Sequence, residues 1–118
     1  MTTTTLSWLT GGPATPADRW ERASYLFDTG DHIAAARELE SLAGEQPDAG
    51  AVRLLLARAY YHSAQLERAE RTLRDLLAHT PADGYAHLLL GRTLQRRSRR
   101  DEAAPHLRLA AAMGVAAD

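Results

Sequence analysis

Apolar residues along this chain recur every three or four positions rather than every two, in six runs divided by short polar breaks. That spacing predicts amphipathic helices. The runs place them at residues 17–29, 32–45, 50–62, 66–79, 84–97 and 100–113. Thr15-Pro16 opens the first: a capping hydroxyl, then a proline at the first helical position, where its missing N–H is not needed. Pro47 and Pro81 each follow a helical run and end it.

Those two prolines are 34 residues apart, and the same period orders the rest of the chain. Ala23, Ala57 and Gly91 fall in one column, and Ala35, Ala69 and Ala103 in another. A small residue midway along a first helix lets the second helix of the pair approach closely. The second small column receives that approach. Leu39, Leu73 and Leu107 form a bulky column; so do Leu26, Tyr60 and Leu94, while Leu42, Leu76 and Ala110 form an apolar one. These fill the remaining space within and between pairs. Internal repeats of this length indicate a solenoid.

The second copy is the fullest. It reads Leu56-Ala57-Arg58-Ala59-Tyr60-Tyr61, then Leu66-Glu67-Arg68-Ala69, then Leu73, Leu76 and Pro81. The third offers Leu90-Gly91 and Asp101-Glu102-Ala103-Ala104, the first Gly30-Asp31 and Ala34-Ala35. In these residues the chain resembles the tetratricopeptide repeat family over nearly its whole length. The resemblance implies an all-α fold, a right-handed α-solenoid of three helical hairpins. We expect a disordered leader at 1–15, the repeat domain at 16–114 and a tail at 115–118. Leu6, Trp8 and Leu9 form an apolar cluster in the leader, as a docking segment or an incidental tail. Three features depart from the family pattern. Arg19 and Arg22 occupy usually apolar positions of the first helix, and the third copy ends in Gly114-Val115 without a proline. Pro105 lies in the last helix, where it disrupts little if Asp101 is the cap.

Composition narrows the function. Acids and bases nearly balance at a net charge of -1, which argues against nucleic acid and an anionic membrane as partners. All fourteen basic residues are Arg. Cysteine is absent, so there is no disulfide and no thiolate metal site, and a cytoplasmic location is expected. No run suits a signal peptide or a membrane helix.

Catalytic patterns are missing. His32, His62, His79, His87 and His106 show no metal-ligand spacing and are expected to pack at the surface or half-buried. Gly11-Gly12-Pro13 is not a phosphate loop, and adjacent carboxylates such as Glu38 and Glu40 point apart on a helix. No enzyme activity, metal or cofactor is expected. The run Gln95-Arg96-Arg97-Ser98-Arg99-Arg100 is either a solvated turn or a contact for phosphate or an acidic partner.

The resemblance implies a groove lined by the first helix of each hairpin. Here it would present Trp20, Ser24 and Phe27, then Leu54, Arg58, Tyr61 and His62, then Tyr85, Leu88, Arg92, Gln95 and Arg96. The positions of the Lys/Asn/Arg clamp of chaperone-binding relatives hold Trp20, Ser24, Leu55, Tyr85 and Leu89, so that clamp is absent. Arg58 and Arg92 share a column, and two neighbouring cations call for an anion. A ligand carboxylate would serve, and so would an internal pair between Asp28 and Arg58. The expected function is a non-enzymatic adaptor for a protein or peptide segment bearing acidic and apolar residues. The alternative is a structural self-association module. Leu109 and Met113 on the last helix lack an expected neighbour and suggest a homodimer.

Overall fold

A computed structural model describes residues 14–115, which form six α-helices and no strand. They are α1 (Pro16–Asp28), α2 (His32–Glu45), α3 (Gly50–His62), α4 (Leu66–His79), α5 (Gly84–Arg96) and α6 (Arg100–Ala112). Consecutive helices pack as three hairpins, α1 with α2, α3 with α4 and α5 with α6, stacked through α2–α3 and α4–α5. The result is an α-solenoid. The leader cluster of Leu6, Trp8 and Leu9 lies outside the described residues.

Local chemistry sets the helix ends. Thr15 and Asp18 form a reciprocal capping box, each side chain accepting the other's backbone N–H at 3.1 Å. Asp31 and Asp83 cap α2 and α5 through Ala34 N–H (3.1 Å) and Ala86 N–H (3.0 Å). The three first helices end alike. Asp31, Gln65 and Arg99 return their N–H to the carbonyls of Leu26, Tyr60 and Leu94 at 2.8–2.9 Å. The residue before each of these, Gly30, Ala64 or Ser98, takes a positive φ of 93°, 61° or 63°.

The repeat columns become the core. Ala23, Ala57, Ala35, Ala69, Leu39 and Leu73 are fully buried. Gly91 permits the closest approach, since a Cβ there would come within 2.5 Å of Leu107 Cδ2. Tyr60 is buried, and its hydroxyl donates to Glu40. Arg19 and Arg22, unusual for the pattern, tie α1 to α2. Arg19 pairs with Glu45 at 2.6 Å and Arg22 with Glu38 at 3.2 Å.

Two expectations at the C-terminal hairpin are corrected. Asp101 is not the cap of α6: the first intrahelical bond runs from Ala103 N–H to the Arg99 carbonyl at 3.1 Å. Asp101 and Glu102 instead occupy the first turn, where their charge suits the helix dipole. Pro105 therefore lies deeper, inside the helix, exposed and without the N–H that would reach Asp101. Met113 also has a neighbour. After it the chain turns through Gly114 (φ 84°), so that Met113 and Val115 close on Gly84, whose Cβ would stand 3.1 Å from Met113 Cβ.

Candidate functional site

The face of α1 bearing Trp20, Ser24 and Phe27 meets α3 at Leu54, Leu55 and Arg58, and between them lies a cleft of about 290 Å³. Arg58 dominates it. Its guanidinium carbon sits 4.6 Å from the Phe27 ring centroid and 5.9 Å from that of Tyr85 on α5. Ring faces attract the cation but offer no hydrogen-bond acceptor in the guanidinium plane. Arg58 Nε is buried without a hydrogen-bond partner. Asp28 borders the same cleft, yet among the described residues no carboxylate pairs with Arg58. The internal Asp28–Arg58 pair is not formed, because Arg58 lies over Phe27 instead.

The cluster continues toward the ends of α1 and α3. The Phe27 ring meets His32 edge-on at 4.7 Å and His62 at 5.7 Å, and the two imidazoles stack at 5.0 Å. Tyr61 packs against His62 at 5.4 Å, and Arg96 lies over Tyr61 at 4.7 Å while donating to its backbone carbonyl at 3.0 Å. His32 Nδ1 is buried without a partner. Burial lowers the pKa of His62 below its ordinary 6.5, and the charges of His32, Arg58 and Arg96 lower it further.

Nine of the twelve sequence-selected groove residues thus converge. Trp20, Ser24, Phe27, Leu54 and Arg58 surround the cleft; Tyr61, His62, Tyr85 and Arg96 extend it. Three stand apart. Leu88 is only 4% exposed, because its helix is wrapped on both sides. Gln95 borders the α5–α6 turn with Ser98, Arg99 and Arg100, and Arg92 is half-buried on α5. His32 escapes a reading of the sequence. It belongs to a second helix, and its partner His62 lies a hairpin away, so no periodicity links them.

A second polar centre lies at the α4–α5–α6 junction. Glu70, 8% exposed, accepts from Arg74 at 2.9 Å, Arg97 at 2.7 Å and Arg99 at 2.8 Å. Glu102 accepts from Arg99 at 2.7 Å and from Arg74 at 3.4 Å. Burial pushes the Glu70 carboxyl up, but the hydrogen bond from Arg74 and the charges of Arg99, Arg74 and Arg97 outweigh it and hold the pKa below 4.5. The arginine run is therefore largely internal cement. In the same hairpin His87 Nε2 donates to the Pro81 carbonyl at 2.8 Å, and its Nδ1 faces His106 Nδ1 at 3.0 Å. The carbonyl can only accept, so a neutral His87 accepts from His106.

Among the described residues no group of three or more His, Asp or Glu side chains could hold a metal ion, and no helix is long and apolar enough to cross a membrane. A profile of the tetratricopeptide repeat matches residues 26–93, more than half of the chain. The chain belongs to the tetratricopeptide repeat family. Tetratricopeptide repeats support a role in protein interaction and scaffolding, and they are typically non-enzymatic. No curated protein matches the sequence. Solved structures do match in fold. One is a mutant of MamA, with a TM-score of 0.80 and 19% identity, covering 87% of this chain and 75% of that one. MamA 41-end from Desulfovibrio magneticus RS-1 has a TM-score of 0.83 and 20% identity, covering 92% of this chain and 61% of that one. MamA AMB-1 gives 0.82 and 20%, covering 89% and 62%. This tetratricopeptide repeat chain thus spans under two thirds of the length of the latter two.

Proposed function

We propose that this chain is a cytoplasmic, non-enzymatic adaptor that binds a peptide segment carrying acidic and apolar residues along α1, α3 and α5. The observation that carries the reading is the buried, unpartnered Arg58 Nε in a cleft walled by Trp20, Phe27 and Leu54. A buried donor without an acceptor costs about 1–3 kcal/mol, and a ligand carboxylate would relieve it. Aromatic and arginine side chains are also the types that dominate binding hot spots. Selection from a random peptide library tests this. Enriched sequences should combine Asp or Glu with apolar residues, and Arg58→Ala with Arg96→Ala should abolish the acidic preference. Enrichment without acidic residues would sink the electrostatic half of the reading.

A second reading, homodimerisation through α6, rests on Leu109 at 44% and Met113 at 41% exposure. Light scattering at micromolar concentration should give a dimer mass that Leu109→Glu reduces to the monomer. A monomer mass for the parent removes this reading.

A further inference from the structure

Two observations meet at one end of the cleft. The cations Arg58 and Arg96 are engaged by rings rather than carboxylates, and the stacked histidines beside them form no ion pair with a carboxylate among the described residues. Seven other arginines, by contrast, sit in ion pairs: Arg19, Arg22, Arg68, Arg71, Arg74, Arg97 and Arg99. The charged and titratable groups around the histidine pair come from every packed element. Asp28 ends α1, and Asp31, whose Oδ1 is taken by Ala34 N–H, caps α2. Arg58 and Tyr61 lie on α3, and Tyr85 and Arg96 on α5. The charges that lower the His62 pKa are those of Arg58 and Arg96, and of His32 whenever it carries a proton.

We propose that this cluster is a proton-coupled anion site, in which a carboxylate of an acidic peptide segment docks between Arg58 and the His32–His62 pair and draws a proton onto that pair. The inference rests on the groove reading above. Without a ligand, partial burial and the neighbouring Arg58 and Arg96 cations disfavour a proton on His62. A neutral imidazole has one N–H donor; a protonated one has two. An incoming carboxylate supplies the missing negative charge and the acceptor that His32 Nδ1 and Arg58 Nε lack. The complex then holds more protons than the free chain, so affinity rises as pH falls through the histidine range. The rings of Phe27, Tyr61 and Tyr85 suit the apolar residues of such a segment, which favours a peptide over a free anion.

The test is fluorescence anisotropy of the full chain with a labelled peptide alternating Glu and Leu, at constant ionic strength. The peptide's Glu side chains titrate near about pH 4.3 and stay ionised over the range used. Between about pH 7.5 and about pH 5.5 the affinity should rise several-fold, toward the limit of about tenfold that a one-unit increase in the pKa of one histidine sets. His32→Gln with His62→Gln should flatten that profile, whatever it does to affinity at the upper pH. If the double variant misfolds by circular dichroism, His62→Gln alone, at the more exposed residue of the pair, should reduce the slope. A flat profile in the parent, or a slope undiminished in the variants, overturns the inference and leaves the groove reading intact. No binding at any pH overturns both. Inorganic sulfate should leave the His62 NMR titration in place; an equal upward shift would make this a general anion site and remove the peptide assignment.

Discussion

Arg97 and Arg99 at the α5–α6 turn, and Arg58 and Arg96 on the cleft side, are the same side chain in opposite settings. The first two converge on a buried Glu70, shared with Arg74 and flanked by Glu102. The second two lie on Phe27 and Tyr61, and among the described residues no carboxylate is paired with either. A chain of near-zero net charge has thus paired its arginines with carboxylates where helices must be joined, and has left Arg58 unpaired in the cleft although Asp28 borders it. Satisfied charge fixes structure, and unsatisfied charge is what a ligand can use. Overall composition hides this, because the sum over both regions is nearly neutral.

Removing the central residue of each region should break the comparison in opposite ways. Glu70→Gln leaves three arginines facing a neutral amide. Hydrogen bonds to charged groups are worth about 1.5–3 kcal/mol, but these arginines are partly in water, so about 1–2 kcal/mol is the expected loss. The melting temperature should fall by roughly 5 °C or more. Arg58→Ala loses a ring contact worth about 0.5–1 kcal/mol, yet it also removes a buried donor with no acceptor, so its stability should stay near that of the parent. Acidification sharpens the contrast. The folded pKa of Glu70 is lowered, so its contribution is full above 4.5 and is lost as pH falls through the lower folded value. Parent and Glu70→Gln should therefore converge in denaturant midpoint in acid. If they remain apart there, the ion pairs are not the source of the difference.

The two regions also differ in how far the sequence reveals them. The repeat columns recur at a 34-residue period and can be read from it, and the resemblance to the tetratricopeptide repeat family then names the first-helix face with Trp20, Phe27, Arg58 and Tyr61. The Glu70 centre cannot. Its members come from α4, the α5–α6 turn and α6, and nothing in a run of arginines says that a glutamate one hairpin earlier turns inward. The histidine pairs stay hidden for the same reason: His32 with His62, and His87 with His106, join different helices. Pro105 is misplaced by the sequence because an acidic residue looks like a cap, when the backbone of the preceding turn has already begun the helix at Arg100.

The smallest expected effect lies in the turns that follow each region. Gly30, Ala64 and Ser98 share one repeat column and one backbone conformation, with φ of 93°, 61° and 63°. Only the first is glycine. Ala64 follows Tyr61 and His62 of the cleft, and Ser98 stands between Arg97 and Arg99 of the Glu70 centre. A residue with a Cβ in this left-handed region costs roughly 1–2 kcal/mol, whereas glycine adds about 0.5–1 kcal/mol of unfolded-chain entropy. Ala64→Gly should therefore stabilise the chain by about 0.5–1 kcal/mol, read as a raised denaturant midpoint with an unchanged slope. Ser98→Gly should gain a similar amount if the Glu70 ion pairs, rather than Ser98 itself, hold that turn. Combined with Glu70→Gln, Ser98→Gly should then gain less, because a turn released from its ion pairs can relax and leaves less left-handed strain for glycine to relieve. Equal gains in both backgrounds would mean that the turn is set by its backbone alone, and that the Glu70 centre joins helices without shaping the turn between them.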